Sequence, residues 1–155
     1  MKAQKENHNP YLFHVSLKLI LKNKKGEIFA LARPPKSSMA GFYDVPGVRI
    51  NSDELEISYE DIFRREVTEE IGKLVKYSII KKPVSVSRHP YFSAKLQKEM
   101  YIFFIFFEAA YIGGKIKISS EHVGYQWLKL DKSNIFRYFV KGLREGFKNY
   151  FKWNQ

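Results

Sequence analysis

The sequence predicts a domain that mixes α-helix and β-strand, of the α+β or α/β class. Three observations carry this expectation. Strand-like stretches recur at Leu12 to Leu21, Glu27 to Ala32, Tyr77 to Arg88, Glu99 to Tyr111 and Tyr125 to Leu128. A helical period of four links Phe63, Val67 and Ile71. A second helical pattern closes the chain from Ser133 to Phe151. The chain has 155 residues, 45% of them hydrophobic and 16% aromatic, enough for one ordinary core. The expected division is a polar, frayed segment over residues 1–10 and a single domain over residues 11–155.

The elements follow in order. Asn23-Lys24-Lys25-Gly26 is a turn signal between the first two strands, so the pair reads as a hairpin. Pro34 to Gly41 is a loop. Ser58 is an N-cap for the first helix, with Asp61 three residues on in a variant of the capping box. Gly72 follows the last apolar position of that helix and suits a left-handed C-cap. The strand from Tyr77 is interrupted near Pro83, and His89-Pro90-Tyr91-Phe92-Ser93 reads as a turn. Met100 to Phe107 is the longest apolar run. It is too short to span a bilayer, which takes about 20 residues, and reads as a buried central strand. Gly113-Gly114 marks a further turn. The closing helix carries Phe136, Phe139, Val140, Leu143, Phe147 and Tyr150 on one stripe, which packing against the sheet explains better than a membrane or RNA anchor does.

The first helix carries the chemistry. Glu66, Glu69 and Glu70 stand at i, i+3 and i+4, which puts three carboxylates on nearly one face. Like charges so placed repel, and an isolated helix gains nothing from them. A hard cation in front of them makes sense of the arrangement. Mg²⁺ takes oxygen ligands and is commonly shared between a few carboxylates and substrate phosphates. An acidic face turned to solvent is the commoner explanation of such clusters. Arg65 just before the run, and the Gly-Pro-rich loop before the helix, argue against it.

Arg65-Glu66-Val67-Thr68-Glu69-Glu70-Ile71-Gly72 resembles the second half of the Nudix box, the signature of the Nudix hydrolase (MutT-like) superfamily. That pattern runs Gly, five residues, Glu, seven residues, then Arg-Glu-apolar-x-Glu-Glu-x-Gly-apolar. The last position is Lys73, with Leu74 behind it. The first half departs: counted back from Arg65, the Gly falls at Asn51 and the Glu at Ile57. Pro46-Gly47 resembles the start of the family's Pro-Gly-Gly, with Val48 where the second Gly sits, and the loop is then about three residues longer. Glu56, one position out of register, replaces the early Glu in this alignment. Phe42-Tyr43-Asp44-Val45-Pro46-Gly47 resembles the family's entry to the box. Arg33 sits where the family often has a basic residue, and Glu121, six residues before Trp127, resembles its downstream Glu. The resemblance extends roughly from Tyr11 to Asp131.

The resemblance implies an α/β/α sandwich with a mixed sheet between helices. It implies a pyrophosphohydrolase that cleaves a nucleoside diphosphate linked to another group, releasing a nucleoside monophosphate and a phosphate-bearing product. The cofactor would be Mg²⁺, with Mn²⁺ as a substitute, held by Glu66, Glu69 and Glu70. Arg65 would orient these carboxylates or touch phosphate. Glu69, Glu70 or Glu121 would take the proton of the attacking water. The Gly47 loop would bring backbone close to the metal, and Arg33, Phe42 and Tyr43 would contact substrate, with Tyr91 and Phe92 as further aromatics able to stack on a base. Open candidates for the substrate are canonical or oxidised nucleotides, dinucleoside polyphosphates, nucleotide sugars and capped RNA ends. An RNA 5′-end hydrolase and a non-catalytic nucleotide- or RNA-binding module on the same fold are the rival functions.

Composition bounds the partners. The formal net charge is +11, which attracts nucleotides or RNA, although lysine-rich usage alone accounts for it. There is no cysteine, so disulfides and thiolate metal sites are excluded, in keeping with a reducing cytoplasm. The N-terminus lacks the apolar core of a signal sequence. His8, His14 and His89 form no metal-like spacing. His122, next to Glu121, is a neighbour of the metal cleft or, more simply, a surface loop residue. Ser119 and Ser120 have no base arranged beside them, so covalent catalysis is unsupported. The oligomeric state is not readable.

Overall fold

A computed structural model describes residues 10–154, so the expected frayed segment lies outside the described residues except for Pro10. Seven strands form one mixed sheet: β1 (His14–Lys22), β2 (Ile28–Ala32), β3 (Tyr43–Asp44), β4 (Gly47–Arg49), β5 (Lys76–Ser93), β6 (Lys98–Gly113) and β7 (Gly124–Leu128). The order is β3-β2-β1-β6-β5, with β4 paired to β1 and β7 to β2. β1 runs parallel to β6, with Leu17 opposite Ile105, and the other pairings are antiparallel.

Alternation along the strands sorts the core into two layers. Leu17, Leu19, Leu21, Phe29, Leu31 and Phe107 meet helix α1 (Tyr59–Glu70) through Ile62, Phe63, Val67 and Ile71. The intervening Ile20, Ile28, Ala30 and Phe106 face the opposite side. There they meet a one-turn helix α2 (Ile135–Tyr138) and helix α3 (Lys141–Trp153) through Ile135, Phe139, Leu143, Phe147 and Tyr150. A period of two is what a sheet covered on both faces requires. The architecture is the expected α/β/α sandwich.

α1 begins and ends as its sequence implies. The Ser58 side chain accepts from the Asp61 backbone N–H at 3.1 Å, and its hydroxyl donates to Asp61 Oδ2 at 2.8 Å. Gly72 adopts φ +111° past the last turn, and its N–H reaches Val67 O at 3.0 Å. The first hairpin and its Asn23–Gly26 turn form, with Gly26 N–H to Asn23 O at 2.9 Å. The pairing of β5 with β6 slips around Pro83, where a proline cannot donate to the ladder.

Three expectations differ from the structure. Residues His89 to Ser93 are not a turn: β5 continues through them, with Tyr91 opposite Met100 and Ser93 opposite Lys98. Pro90 is tolerated because β5 is a sheet edge. The closing helix is not continuous: Phe139 and Val140 are extended and Lys141 has φ +53°. The break turns Phe139 inward to stack on Phe147, centroids 4.5 Å apart, and Arg144 Nε caps Phe139 O at 2.9 Å. Phe136 leaves the apolar stripe and is exposed. α3 itself lies close on the sheet. Ser87 and Ser85 donate to Gly142 O and Gly146 O at 2.6 and 2.5 Å, and a Cβ on either glycine would overlap Phe104 or Phe106.

Candidate active site

The site is built where α1 ends against β4. Gly47 sits opposite Lys18 of β1, and a side chain at Gly47 would overlap the Leu17 carbonyl oxygen. That close approach leaves its N–H free to donate to Glu70 Oε2 at 2.9 Å. Glu70 also turns toward the loop before β7. Its other oxygen lies 3.6 Å from His122 Nε2, and Glu70, Glu121 and His122 each offer a ligand atom within 4.8 Å of the others. The loop is pinned by Ser119 N–H to Glu70 O at 2.9 Å and by Val123 N–H to Ala32 O at 3.1 Å.

One turn back along α1, Arg65 organises the other carboxylates. It bonds Glu66 Oε1 at 2.6 Å, lies 3.6 Å from Glu69 Oε2, and pairs with Glu54. Glu54 and Glu66 are buried, whereas Glu69 is largely exposed. Burial pushes the Glu66 carboxyl up to about 7. Arg65 opposes that rise, while Glu70, Glu69 and Glu54 add to it by repulsion. A carboxyl raised this far holds its proton more tightly than an ordinary one, and a cation bound beside it would favour the charged form and displace that proton.

Glu54 is the residue that sequence reasoning missed. Glu56, expected to replace the family's early Glu, is exposed. Glu54 instead lies at the end of a short 3-10 turn (Ser52–Glu54), accepts from Asn51 N–H at 2.9 Å and receives Arg65. The signal was present: five residues separate Val48 from Glu54, the spacing of the box's first half. The three additional residues therefore lie between Glu54 and α1, not between Gly47 and the Glu.

Of the other expected residues, Arg33, Tyr91 and Phe92 gather on the other side of the β1–β4 pair. A cavity of about 350 Å³ is lined by Lys18, Arg33, Arg49, His89, Tyr91, Phe92, Phe104 and Lys141, among others. Arg33 Nη2 bonds Asp44 Oδ2 at 2.7 Å and Lys18 Nζ bonds Asp44 Oδ1 at 2.8 Å. Burial raises the Asp44 pKa, but Lys18 and Arg33 outweigh it and hold the carboxyl below its ordinary value. Arg49 lies over the Tyr91 ring at 4.6 Å. Neither Arg49 nor Lys141 makes an ion pair among the described residues. Phe42 and Tyr43 do not line this cavity; Tyr43 packs on the core and edge-on to Tyr138. A larger, shallower depression of about 680 Å³ lies between α1 and β5 but includes none of these carboxylates.

No protein-family model matches the sequence, and no curated protein matches it. Solved structures do. The chain is similar to a MutT protein from Methanosarcina mazei, at 26% identity and TM-score 0.59 over 94% of each chain. The fold is that of the Nudix proteins. Other structures that share it are more distant in sequence. The Nudix domain of Shewanella oneidensis NrtR, crystallised with ADP ribose, is 10% identical, with TM-score 0.59 over 94% of this chain and 92% of its own. The Escherichia coli dihydroneopterin triphosphate pyrophosphohydrolase is 13% identical, with TM-score 0.59 over 91% and 95%. Within the Nudix fold of this chain, no helix of the described residues is long and apolar enough to cross a membrane.

The residues fit a divalent cation. The donors are carboxylates and an imidazole, and both His122 ring nitrogens are buried without a partner. An orphaned buried polar atom is expensive unless something binds it.

Proposed function

We propose that this chain is a metal-dependent pyrophosphohydrolase acting on a nucleoside diphosphate linked to another group. The observation that carries the reading is the convergence, on a Nudix fold, of Glu70, Glu121 and His122 beside the Arg65–Glu54–Glu66 cluster. A divalent cation bound there, Mg²⁺ or Mn²⁺, would neutralise the phosphates and stabilise the leaving group. Glu66, Glu69 and Glu70 are its proposed protein ligands, with Glu121 beside them.

The chain's own residues do the rest. Arg65 holds Glu54 and Glu66 in one orientation and offsets part of their repulsion. The Gly47 N–H fixes one oxygen of Glu70 and leaves the other facing the loop. A carboxylate, Glu69, Glu70 or Glu121, takes a proton from the attacking water as its oxygen bonds to phosphorus. The bridging P–O bond breaks, and the second phosphate-bearing product leaves with that oxygen. The cavity with Arg49, Lys141 and Tyr91 offers cations for phosphate and a ring for a base. The proposed products are a nucleoside monophosphate and that second piece.

The test is a panel of nucleoside triphosphates, dinucleoside polyphosphates and nucleotide sugars, each with Mg²⁺, with Mn²⁺ and with EDTA. Metal-dependent release of a nucleoside monophosphate, lost in Glu69→Gln, is the expected result. Nucleotide binding with no turnover of any compound would place the chain among non-catalytic binding modules instead.

A further inference from the structure

Among the described residues, one group brings metal-ligating atoms together by geometry: Glu70, Glu121 and His122, all within 4.8 Å of one another. Two are carboxylates that the reading above already uses. His122 stands beside them but is not among the ligands proposed there. Its side chain is nine-tenths buried, with 10% of its surface exposed. Neither ring nitrogen has a hydrogen-bond partner. The Glu70 Oε1 atom, at 3.6 Å from Nε2, is beyond hydrogen-bond reach. Buried imidazoles normally donate one nitrogen and accept at the other, so two orphaned nitrogens in a ring beside two carboxylates need an explanation. The imidazole is not there by slack. The loop is tied to α1 through Ser119 and to β2 through Val123, and His122 N–H reaches Ser119 O at 3.3 Å.

We infer that His122 is a metal ligand, completing with Glu70 and Glu121 a mixed nitrogen–oxygen site that prefers a first-row transition ion such as Mn²⁺ over Mg²⁺. In an octahedral shell, neighbouring ligand atoms stand about 3 Å apart and opposite ones about 4 Å. Three atoms within 4.8 Å of one another are near enough for small side-chain movements to bring them into such a shell. The donor set decides the metal. Mg²⁺ is a hard cation that takes oxygen, whereas an imidazole suits first-row transition ions and a carboxylate suits Mn²⁺ as well as Mg²⁺. One nitrogen and two carboxylates therefore favour Mn²⁺ or its heavier neighbours. The inference rests on the proposed metal site at Glu70, but it concerns which atoms hold the ion and is read without turnover.

The test uses the full chain and Mn²⁺ alone, with no nucleotide. Electron spin echo modulation of bound Mn²⁺ is expected to show coupling to one imidazole nitrogen, a measurement that needs no variant. In His122→Asn that coupling disappears. Mn²⁺ affinity in the variant falls about tenfold or more, while Mg²⁺ affinity, read by competition, changes less than about threefold. A circular dichroism melt confirms that the variant folds. Mn²⁺ bound without nitrogen coupling, or with coupling that survives in His122→Asn, overturns the inference and leaves the hydrolase reading standing. Nitrogen coupling from His122 in a protein that hydrolyses nothing on the nucleotide panel upholds the inference and removes the hydrolase reading. No Mn²⁺ binding at all overturns both.

Discussion

Glu70 depends on a glycine. Its carboxylate is held by the Gly47 N–H at 2.9 Å, and only a residue without a Cβ can bring β4 so near Leu17. Gly47→Ala is therefore expected to lower thermal stability by about 1–3 kcal/mol and to weaken Mn²⁺ binding, read by calorimetry on the same sample. An unchanged melt would mean that β1 and β4 can part without cost. Asp44 carries a pH signature. Its pKa is held below the ordinary 3.8, so it contributes stability above that value, and the contribution is lost as pH falls through the lower folded value. Denaturation curves for Asp44→Asn should thus be destabilised by about 2 kcal/mol or more at neutral pH, since two cations lose their partner. The gap to the parent protein should narrow below about pH 4. Glu54 shows what residue-level reading can miss. Spacing alone favoured Glu56, because the eye counts back from Arg65, whereas the three inserted residues lie after Glu54. The family's first-half spacing, counted forward from Val48, leads to the buried residue.

At the scale of elements, what was legible was local. Ser58, the four-residue period and Gly72 carry their own physics, so α1 was readable from start to finish. The interruption at Pro83 was readable for the same reason. What failed required knowledge of neighbours. His89-Pro90 looks like a turn until β6 runs opposite it, and a proline is harmless on an edge strand. The split between α2 and α3 follows from tertiary packing: Gly142 and Gly146 seat α3 on Phe104 and Phe106, while Phe139 must reach the core from the preceding turn. Gly146→Ala, a favourable change in an isolated helix, should here cost about 2 kcal/mol or more, measured by chemical denaturation. A neutral or stabilising result would show that Phe106 can yield, and that the contact is looser than it stands.

At the scale of the molecule, the proposed function draws on both faces of the sheet. α1 carries the acidic cluster on one, and the cavity with Arg49, Lys141 and Tyr91 opens on the other, joined through the Lys18–Gly47 register of β1 and β4. The net charge of +11 acts over this whole surface. If the ligand is a small nucleotide, the logarithm of its affinity should fall with the logarithm of salt at a slope of about one to three. A steeper slope would point to RNA tracking the wider surface. Arg49→Ala should raise KM about tenfold with a smaller effect on kcat, because it removes a cation from the cavity and none from the acidic cluster.

The most direct measurement compares Glu70→Gln with the parent protein on the best nucleotide substrate from the panel. Glutamine keeps an oxygen to accept the Gly47 N–H but removes the charge. Nucleotide affinity should stay within about threefold while kcat falls by about a thousandfold, with metal affinity reduced in parallel. Turnover at the parent rate in Glu70→Gln, or turnover that persists in EDTA, would contradict it.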